Sequence, residues 1–246
     1  MTTLRESLRR AGEPPVTPPE ASSPRIDSAH EAGATIPLLI LGTRTLAIEI
    51  CDWAEDIPGV RVVGFVENLD RGNCDQPLED RPVFWIDDLP DRAPGCYAVG
   101  GLATTHRRIF VEQAARLGIP FATLIHPLSR ISRTTTLGEG CLANPGVLVG
   151  SHAVIGNHVF MNRGVMIGHH TRVGDFVTLQ PGVNIAGCCS IGEGTYVGMG
   201  AVILDHLKIG EHSVIGAGSV VTRDVPDQVQ VMGVPARIVK ENIEGK

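Results

Sequence analysis

An aliphatic residue recurs every six positions through the second half of the chain, and no insertion interrupts the period. A hexapeptide period is the sequence signature of a parallel β-helix, in which each repeat forms one short strand and one corner. The series consists of Ile131, Leu137, Ala143, Val149, Ile155, Met161, Ile167, Val173, Leu179, Ile185, Ile191, Val197, Ile203, Ile209, Ile215 and Val221.

The period predicts a three-sided prism in which three hexapeptides complete one coil. The aliphatic residue of each repeat points inward, and glycine follows many of these residues. We expect those glycines to supply the unusual backbone dihedrals of the corners. With stacked strands ~4.8 Å apart, residues 131–220 should form about five coils and a prism of roughly 24 Å.

The first half of the chain has a different pattern, in which short apolar runs alternate with segments of helical periodicity. Strand signals before and after each helical segment are typical of a small parallel sheet of the Rossmann-like class. The predicted strands cover residues 36–41, 60–66, 97–99 and 121–125, and the predicted helices cover 44–56 and 104–117.

Residues 1–34 are rich in Pro, Ser, Ala, Glu and Arg and offer little apolar surface to pack, so they predict a disordered tail. The remaining chain divides into a Rossmann-like domain at 35–126, a β-helix domain at 127–226 and a C-terminal segment at 227–246. This order defines a mixed fold, with an α/β domain followed by a β-helix.

Charge and cysteine content exclude several classes of partner. The formal net charge is −6, which offers no basic surface to nucleic acid or a membrane. No apolar stretch approaches the ~18 residues of a membrane helix, and the first residues lack the apolar core of a signal peptide. The 6 cysteines form no C-x-x-C pair, so we expect reduced thiols in a cytoplasmic protein.

The end of the repeat array carries a family resemblance. Residues 220–226 read VVTRDVP, residues 233–237 read GVPAR, and Ile125-His126-Pro127 stands ahead of the array. Together with the α/β domain, these motifs resemble the bacterial hexapeptide-repeat nucleotide-sugar acetyltransferases, which include sialic acid O-acetyltransferases and amino-sugar N-acetyltransferases. The resemblance implies a left-handed β-helix, a homotrimer with active sites between neighbouring prisms, acetyl-CoA as donor and a small sugar-like acceptor.

Acetyl transfer needs a base for the attacking amine or hydroxyl and a donor for the oxyanion. The resemblance places the base at His169, within the sequence IGHHT. His170 falls where the family has an orienting acid, which is a departure from the family pattern. Asn162 matches a family asparagine near the transferred acetyl group.

The donor must also be held in a groove so that its thioester meets the acceptor. Gly187, one predicted coil after His169, matches a family glycine whose amide faces the thioester. Met199, Ala217 and Arg237 match positions along the CoA arm and at its nucleotide end.

In the first domain, the family has a glycine-rich turn that approaches the diphosphate of the acceptor. Here the turn reads GTRTLA, in which Gly42 remains and Arg44 could assist a helix N-terminus in binding phosphate. Glu67 and Asn68 match an acidic pair that reads the nucleotide in the family, and Gly100 closes the next strand.

Two other classes of function stay open from sequence. One is a β-helix acetyltransferase with a different acceptor, such as an amino acid, an antibiotic or a secondary-metabolite sugar. The other is a zinc β-helix of the carbonic-anhydrase type or a non-catalytic scaffold. Potential metal ligands recur along one corner of the predicted prism, but stacked side chains do not provide the convergent geometry of a zinc site, so we expect no metal. The column consists of His152, His170, Cys188 and His206.

Overall fold

The computed structural model describes residues 25–26 and 35–246, and it contains an α/β domain packed against a parallel β-helix. The α/β sheet is parallel, with strand order β4-β3-β2-β5. Its strands are β2 Ile36–Leu41, β3 Val60–Glu67, β4 Val83–Trp85 and β5 Tyr97–Gly100. The helices are α1 Thr45–Ala54, α2 Leu89–Arg92 and α3 Arg107–Arg116, with 3₁₀ turns at Arg71–Asp75 and Ile86–Asp88.

The sheet is buried on both faces, as expected for parallel strands with covering helices. Along β2, Leu38 and Ile40 pack into one apolar cluster, while Leu39 and Leu41 pack into another on the opposite face. The continuous apolar run at 36–41 therefore reflects burial on both sides. The Rossmann-like class is confirmed, and β4 is a strand that the sequence pattern did not predict.

The strand predicted at 121–125 is divided between the two domains, because Phe121 forms a parallel bridge with Ala98 of β5 while the remainder belongs to the β-helix. Strand β6, Thr123–Ile125, pairs in parallel with Leu142–Ala143, the first turn of the prism. Strand β1, Arg25–Ile26, pairs with β6 on its other side, and Ile26 is fully buried. The predicted disordered tail is therefore wrong for these two residues, because Ile26 has an apolar site to fill. The rest of that stretch, 1–24 and 27–34, lies outside the described residues.

The prism is built from short strands, and each strand pairs in parallel with the corresponding strand of the next coil, three repeats later. These strands, β7 to β22, are Arg130–Ile131, Thr136–Leu137, Leu142–Ala143, Leu148–Val149, Val154–Ile155, Phe160–Met161, Met166–Ile167, Arg172–Val173, Thr178–Leu179, Asn184–Ile185, Ser190–Ile191, Tyr196–Val197, Val202–Ile203, Lys208–Ile209, Val214–Ile215 and Val220–Val221. Strand β23, Gln230–Gly233, continues one sheet and forms an antiparallel hairpin with β24, Ala236–Lys240. The inward aliphatic series forms one continuous apolar core, as the period predicts.

The three sides of the prism differ in chemistry. The covered face, which contains β6, β9, β12, β15, β18, β21 and β23, carries buried outward residues such as Phe160 under the α/β domain. The apolar face, which contains β7, β10, β13, β16, β19 and β22, exposes 46% of Leu148 and 39% of Met166. The polar face, which contains β8, β11, β14, β17 and β20, exposes Arg172, Ser190 and Lys208.

Three corners connect these faces in chain order. The first corner joins the covered face to the apolar face and includes residues 144–147, 162–165, 180–183, 198–201 and 216–219. The second corner joins the apolar face to the polar face and includes residues 150–153, 168–171, 186–189 and 204–207. The third corner returns the chain to the covered face.

The predicted role of the glycines after the aliphatic residues is wrong. Gly150 and Gly168 do not have left-handed dihedrals, and the left-handed residues stand two places later, at His152 and His170 with φ of 58°. A Cβ on Gly168 would lie 2.5 Å from the carbonyl carbon of Ala186 in the next coil. Glycine is needed there because stacked coils approach each other closely.

A buried arginine joins the two domains. Arg107 of α3 donates hydrogen bonds to the carbonyl oxygens of His158 and Val177 and to the Thr178 hydroxyl on the prism. Burial lowers the pKa of this guanidinium to about 9, which leaves it charged at neutral pH. Because its partners are fixed backbone groups, Arg107 sets the position of the α/β domain on the covered face.

The end of the C-terminal segment, residues 241–246, also connects the domains. Its backbone N–H groups at Ile243 and Gly245 donate to the carbonyls of Gln228 and His212 on the prism. The Lys246 carbonyl accepts from the backbone N–H of Thr105, which lies just before α3, and the Lys246 N–H donates to the Thr105 hydroxyl. Among the described residues, no helix is long and apolar enough to cross a membrane.

Candidate active site

His169 lies on the second corner, directly against Gly187 of the next coil. The Cys188 N–H donates to the His169 carbonyl at 2.8 Å, which fixes the two coils in register. A Cβ on Gly187 would lie 2.8 Å from Cε1 and 2.9 Å from Nε2 of His169. In the described part of the chain, the Gly187 N–H has no hydrogen-bond partner. An exposed imidazole and a free backbone donor therefore stand side by side.

His170 makes the closest polar contact of His169. The two Nδ1 atoms are 3.1 Å apart, and the His152 ring lies 5.0 Å from the His170 ring on the coil below. Burial lowers the pKa of His170, and the neighbouring His152 and His169 lower it further. These surroundings therefore disfavour the protonated form of His170.

Asn162 lies on the first corner, and the apolar face separates it from His169. The two residues are seven positions apart, and each six-residue repeat moves the chain on by one face of the prism. Its Oδ1 accepts from Asn144 Nδ2 at 3.2 Å and from the Arg163 N–H at 2.8 Å. Its Nδ2 donates to Gln180 Oε1 at 3.4 Å, and only 5% of the residue is exposed. Within one chain, Asn162 is part of a buried amide ladder and does not meet His169.

Met199 and Ala217 stack on the first corner and line a groove of 680 Å³. Neither backbone N–H of this pair has a partner in the described part of the chain, so both can donate to a ligand. The groove runs between the prism, the start of α3 and the C-terminal segment. Residues that the sequence reasoning missed also line it, among them His106, Gln180, Tyr196, Lys240 and Lys246.

Arg237 is not part of this groove. It is exposed on β24, and its guanidinium donates to the carbonyl of the preceding residue, Ala236, at 2.8 Å. Lys240, on the same strand, and Lys246 are the cations that the structure places at the groove. The predicted contact of Arg237 with the nucleotide end of CoA stays a prediction.

In the α/β domain, the turn after β2 is held close to the strand end of β5. Gly42 has a φ of 123°, a conformation that side-chain-bearing residues rarely adopt, and a Cβ there would sit 3.4 Å from the Gly101 carbonyl. Arg44 is the exposed N-cap residue of α1, whose first turn carries no acidic residue. The exposed start of α1 with its arginine is suited to an anion.

Glu67 is committed to contacts within its own chain. Its carboxylate accepts hydrogen bonds from the Thr43 hydroxyl at 2.7 Å, the Asn73 amide and the backbone N–H groups of Asn68 and Leu69. Burial would raise the pKa of Glu67, but the hydrogen bonds outweigh it and hold the pKa below its ordinary value. Glu67 therefore fixes the Gly42 turn as a charged anchor.

The other two predicted acceptor residues lie near the same sheet edge. The Asn68 side chain donates to Gln113 of α3 at 3.1 Å. Gly100 is buried, and a Cβ there would make an ordinary contact of 3.5 Å with Arg107. The loop after Gly100 then reaches the first corner, where Gln180 donates to the Ala103 carbonyl at 3.5 Å. The loop after Gly100 thus contacts the first corner, the corner that also carries Met199 and Ala217.

The described residues contain no group of three or more His, Cys, Asp or Glu side chains arranged to hold a metal ion. His152 and His170 do stack, as their spacing predicts, but they lie along an edge and do not converge. Each of the six cysteines is a free thiol.

The repeats of the β-helix match a known family. The family described as bacterial transferase hexapeptide (six repeats) matches residues 170–205 and 188–223. No curated protein sequence matches the chain.

Several solved structures share the whole fold. PerB from Caulobacter crescentus, in complex with CoA and GDP-perosamine, is 27% identical, with 85% of this chain and 98% of that chain covered at a TM-score of 0.74. WeeI from Acinetobacter baumannii AYE is 26% identical, with 83% of this chain and 100% of that chain covered at a TM-score of 0.74. The acetyltransferase domain of PglB from Neisseria gonorrhoeae FA1090, in complex with acetyl coenzyme A, shares the fold at 24% identity and a TM-score of 0.75, with 84% of this chain and 100% of that chain covered.

The repeats and the fold confirm the predicted left-handed β-helix class and the predicted resemblance to hexapeptide-repeat sugar acetyltransferases.

Proposed function

We propose that this protein transfers an acetyl group from acetyl-CoA to the amino group of a nucleotide-linked sugar. The observation that carries the proposal is the pair formed by the His169 imidazole and the unpartnered Gly187 N–H. A base and an oxyanion donor at one exposed corner are the two groups that thioester aminolysis requires. The likeness to the solved perosamine N-acetyltransferase supports the acetyltransferase class.

In the proposed reaction, Nε2 of His169 takes a proton from the acceptor amine while its nitrogen attacks the thioester carbonyl. The carbonyl oxygen becomes an oxyanion and accepts the Gly187 N–H. The C–S bond then breaks, and CoA leaves as a thiolate that is protonated to the thiol. Ser151 and Cys188 lie on the coils below and above His169, but in the described part of the chain neither side chain is hydrogen-bonded to its imidazole, so we propose direct transfer.

The donor groove fits the arm of CoA. The free N–H groups of Met199 and Ala217 can donate to the amide carbonyls of the pantetheine arm, which extends along the prism axis. Lys240 and Lys246 can neutralise its phosphates at the far end of the groove. Arg237, which is exposed on β24 outside the groove, is the remaining cation proposed for the nucleotide end.

The acceptor binds at the sheet edge of the α/β domain. The exposed α1 N-terminus and Arg44 can hold the diphosphate, and Gly42 lets the backbone approach it. Glu67 acts indirectly by fixing the Gly42 turn, while Asn68 and Gly100 border the edge. GDP-perosamine bound to PerB supports a nucleotide-linked amino sugar as the acceptor class.

We further propose a homotrimer, because the donor groove and His169 lie on opposite edges of the apolar face. Packing three apolar faces around one axis would bury Leu148, Met166 and Val202 and bring the first corner of one prism to the second corner of the next. Each site would then combine the groove and acceptor domain of one chain with His169 of its neighbour. Asn162 would line the shared cleft from the groove side.

Subunit complementation tests this arrangement. His169→Ala removes the base, and Ala217→Trp blocks the donor groove, so each homotrimer should be inactive. In randomly mixed trimers, a site is intact when the groove comes from the first variant and His169 from the second, so about a quarter of wild-type activity should return. The readout is thiol release from acetyl-CoA with a panel of nucleotide-linked amino sugars that includes GDP-perosamine. Mixed trimers without activity would contradict the shared site.

A second acceptor class is favoured by one feature of the turn after β2. Arg44 and Leu46 stand where the resembling family continues its glycine-rich turn. A different small acceptor, such as an amino acid, an antibiotic or a secondary-metabolite sugar, would need no diphosphate site there. Acetyl-CoA consumption with such an acceptor, and not with nucleotide-linked sugars, would decide for this alternative.

A further inference from the structure

The second corner carries four imidazoles, and its carboxylate, Asp205, contacts His206 and not the base. In the described part of the chain, the charged groups that influence His170 are His152 on the coil below and His169 beside it. Cys188 occupies the same position on the coil above, with a left-handed φ of 60°. Within one chain, the side chain in contact with the His169 ring nitrogen is therefore an imidazole, where the resembling family has an acid.

The contact between the two imidazoles restricts their tautomers. With the two Nδ1 atoms 3.1 Å apart, one nitrogen carries the hydrogen and the other accepts it. If His170 donates, neutral His169 must carry its own hydrogen on Nε2, and that nitrogen cannot act as a base. If His169 donates from Nδ1, its Nε2 lone pair is free. Because Nε2 is the ring nitrogen nearest the Cβ position of Gly187, the second arrangement aims a base at the thioester.

We propose that His170 is a positioning residue that also relays the proton away from His169, which rests on the function proposed above. Neutral His170 accepts the Nδ1–H of His169 and holds its ring. As Nε2 of His169 bonds to the acceptor proton, the Nδ1–H bond of His169 breaks and that proton bonds to Nδ1 of His170. His170 then releases its Nε2 proton to water, and both rings are neutral. The Nε2 proton of His169 next protonates the departing CoA thiolate, Nδ1 of His169 recovers its proton from Nδ1 of His170, and water returns a proton to Nε2 of His170, which restores both starting tautomers.

Two further observations support the relay. His170 is exposed, so its outer nitrogen can exchange protons with solvent. Its left-handed backbone, with φ of 58°, directs the side chain along the corner and fixes its position relative to His169. Desolvation by its neighbours and the nearby His152 and His169 lower the pKa of His170, which favours the neutral ring that can accept at Nδ1.

Three substitutions separate orientation from proton transfer, and Asn, Asp and Gly all tolerate the left-handed backbone. His170→Asn can accept the hydrogen bond but cannot take the proton, so kcat should fall about 10-fold. His170→Gly removes both roles, and kcat should fall about 10²-fold. His170→Asp can orient the ring and stabilise the imidazolium, so activity should be retained. Its pH–rate profile should rise at a pH about one unit higher than in the wild type.

In the wild type, the rate should increase with pH, and the midpoint of this increase should lie below about pH 6.5. The reason is that the lowered pKa of His170 favours its neutral form at more acidic pH. His206→Asn is the matched control, since His206 shares the corner and a φ of 60° but lies two coils above His170. It should leave kcat and the profile unchanged. If His170→Asn has the wild-type kcat and profile, the relay is wrong, even where His169→Ala confirms the base.

Nitrogen-15 NMR of the labelled histidine rings gives a readout independent of turnover, with the rings assigned through His169→Asn and His170→Asn. The expected tautomers are Nδ1–H for His169 and Nε2–H for His170. The opposite tautomer at His169 would overturn the relay whatever the activity. Absence of thiol release with every acceptor, combined with the expected tautomers, would instead refute the proposed acetyl transfer and leave the dyad geometry standing.

Discussion

Replacement of Gly187 by alanine should separate catalysis from stability. Gly187 does not have a left-handed backbone, so alanine can adopt its dihedrals. The new Cβ would lie 2.8 Å from His169 Cε1, whereas carbon atoms in contact normally stay about 3.5–4.0 Å apart. The imidazole must therefore retreat by about 1 Å, and because His169 is exposed it can do so by turning outward.

A displacement of about 1 Å at a reacting group costs on the order of 10² in rate. We therefore expect kcat of Gly187→Ala to fall about 100-fold, while the free energy of unfolding changes by less than about 1 kcal/mol. Thiol release from acetyl-CoA measures the first quantity, and urea unfolding at fixed protein concentration measures the second.

Gly168→Ala is the matched control, one position before His169. Its Cβ would lie 2.5 Å from both the carbonyl carbon of Ala186 and the backbone nitrogen of Gly187, and this backbone cannot move aside. That variant should lose roughly 1–3 kcal/mol of stability. A wild-type kcat in Gly187→Ala would refute the placement of the base against Gly187. If both variants lose the same amount of stability, the claim that the Cβ of Gly187→Ala displaces only the His169 side chain would be refuted.

Arg107→Met should lower the free energy of unfolding, measured in urea, by about 3 kcal/mol, because it leaves buried carbonyls of the prism without a hydrogen-bond donor. A decrease of less than about 0.5 kcal/mol would contradict the role of Arg107 in joining the two domains. Burial lowers the pKa of His158 to about 4, so the unfolded chain binds the proton first and up to about 3 kcal/mol of stability is lost as the pH falls from ~6.5 to ~4. His158→Asn should remove that slope in urea titrations, whereas the control His212→Asn, with the same φ of 53°, should retain it. Met166→Glu would bring three carboxylates together on the apolar face, and light scattering should show monomers, whereas Ser190→Glu on the polar face should remain trimeric.

The sequence was sufficient to predict the prism because a six-residue period admits one three-sided solution. The pairing of each strand with the strand three repeats later follows from that period, and the structure has it along every side. The function of individual corner residues was harder to predict. The glycines after the aliphatic residues were interpreted through their own dihedrals, whereas the cause lies in the coil above. Contacts between coils are not visible in a single repeat.

The amide ladder that contains Asn162 can be predicted from the spacing of its residues. Asn144, Asn162 and Gln180 stand one coil apart from each other, and the same rule that stacks the aliphatic series stacks these amides into a ladder. The contacts that join the two domains have no such spacing in the sequence. Arg107 finds its acceptors on distant strands of the prism, and Lys246 finds Thr105 near the start of α3, so neither contact follows from local pattern.

The six-residue period also explains why the residues of the proposed site are separated within one chain. A residue pair seven apart, such as Asn162 and His169, falls on successive corners, and a rigid parallel prism cannot bend to bring two of its corners together. The α/β domain cannot bridge the gap either, because Arg107 and the C-terminal segment hold it on the covered face beside the first corner. The face that lies between these two corners is open, and it is apolar. The geometry that separates the base from the donor groove is therefore the same geometry that provides the surface on which a second chain can reunite them.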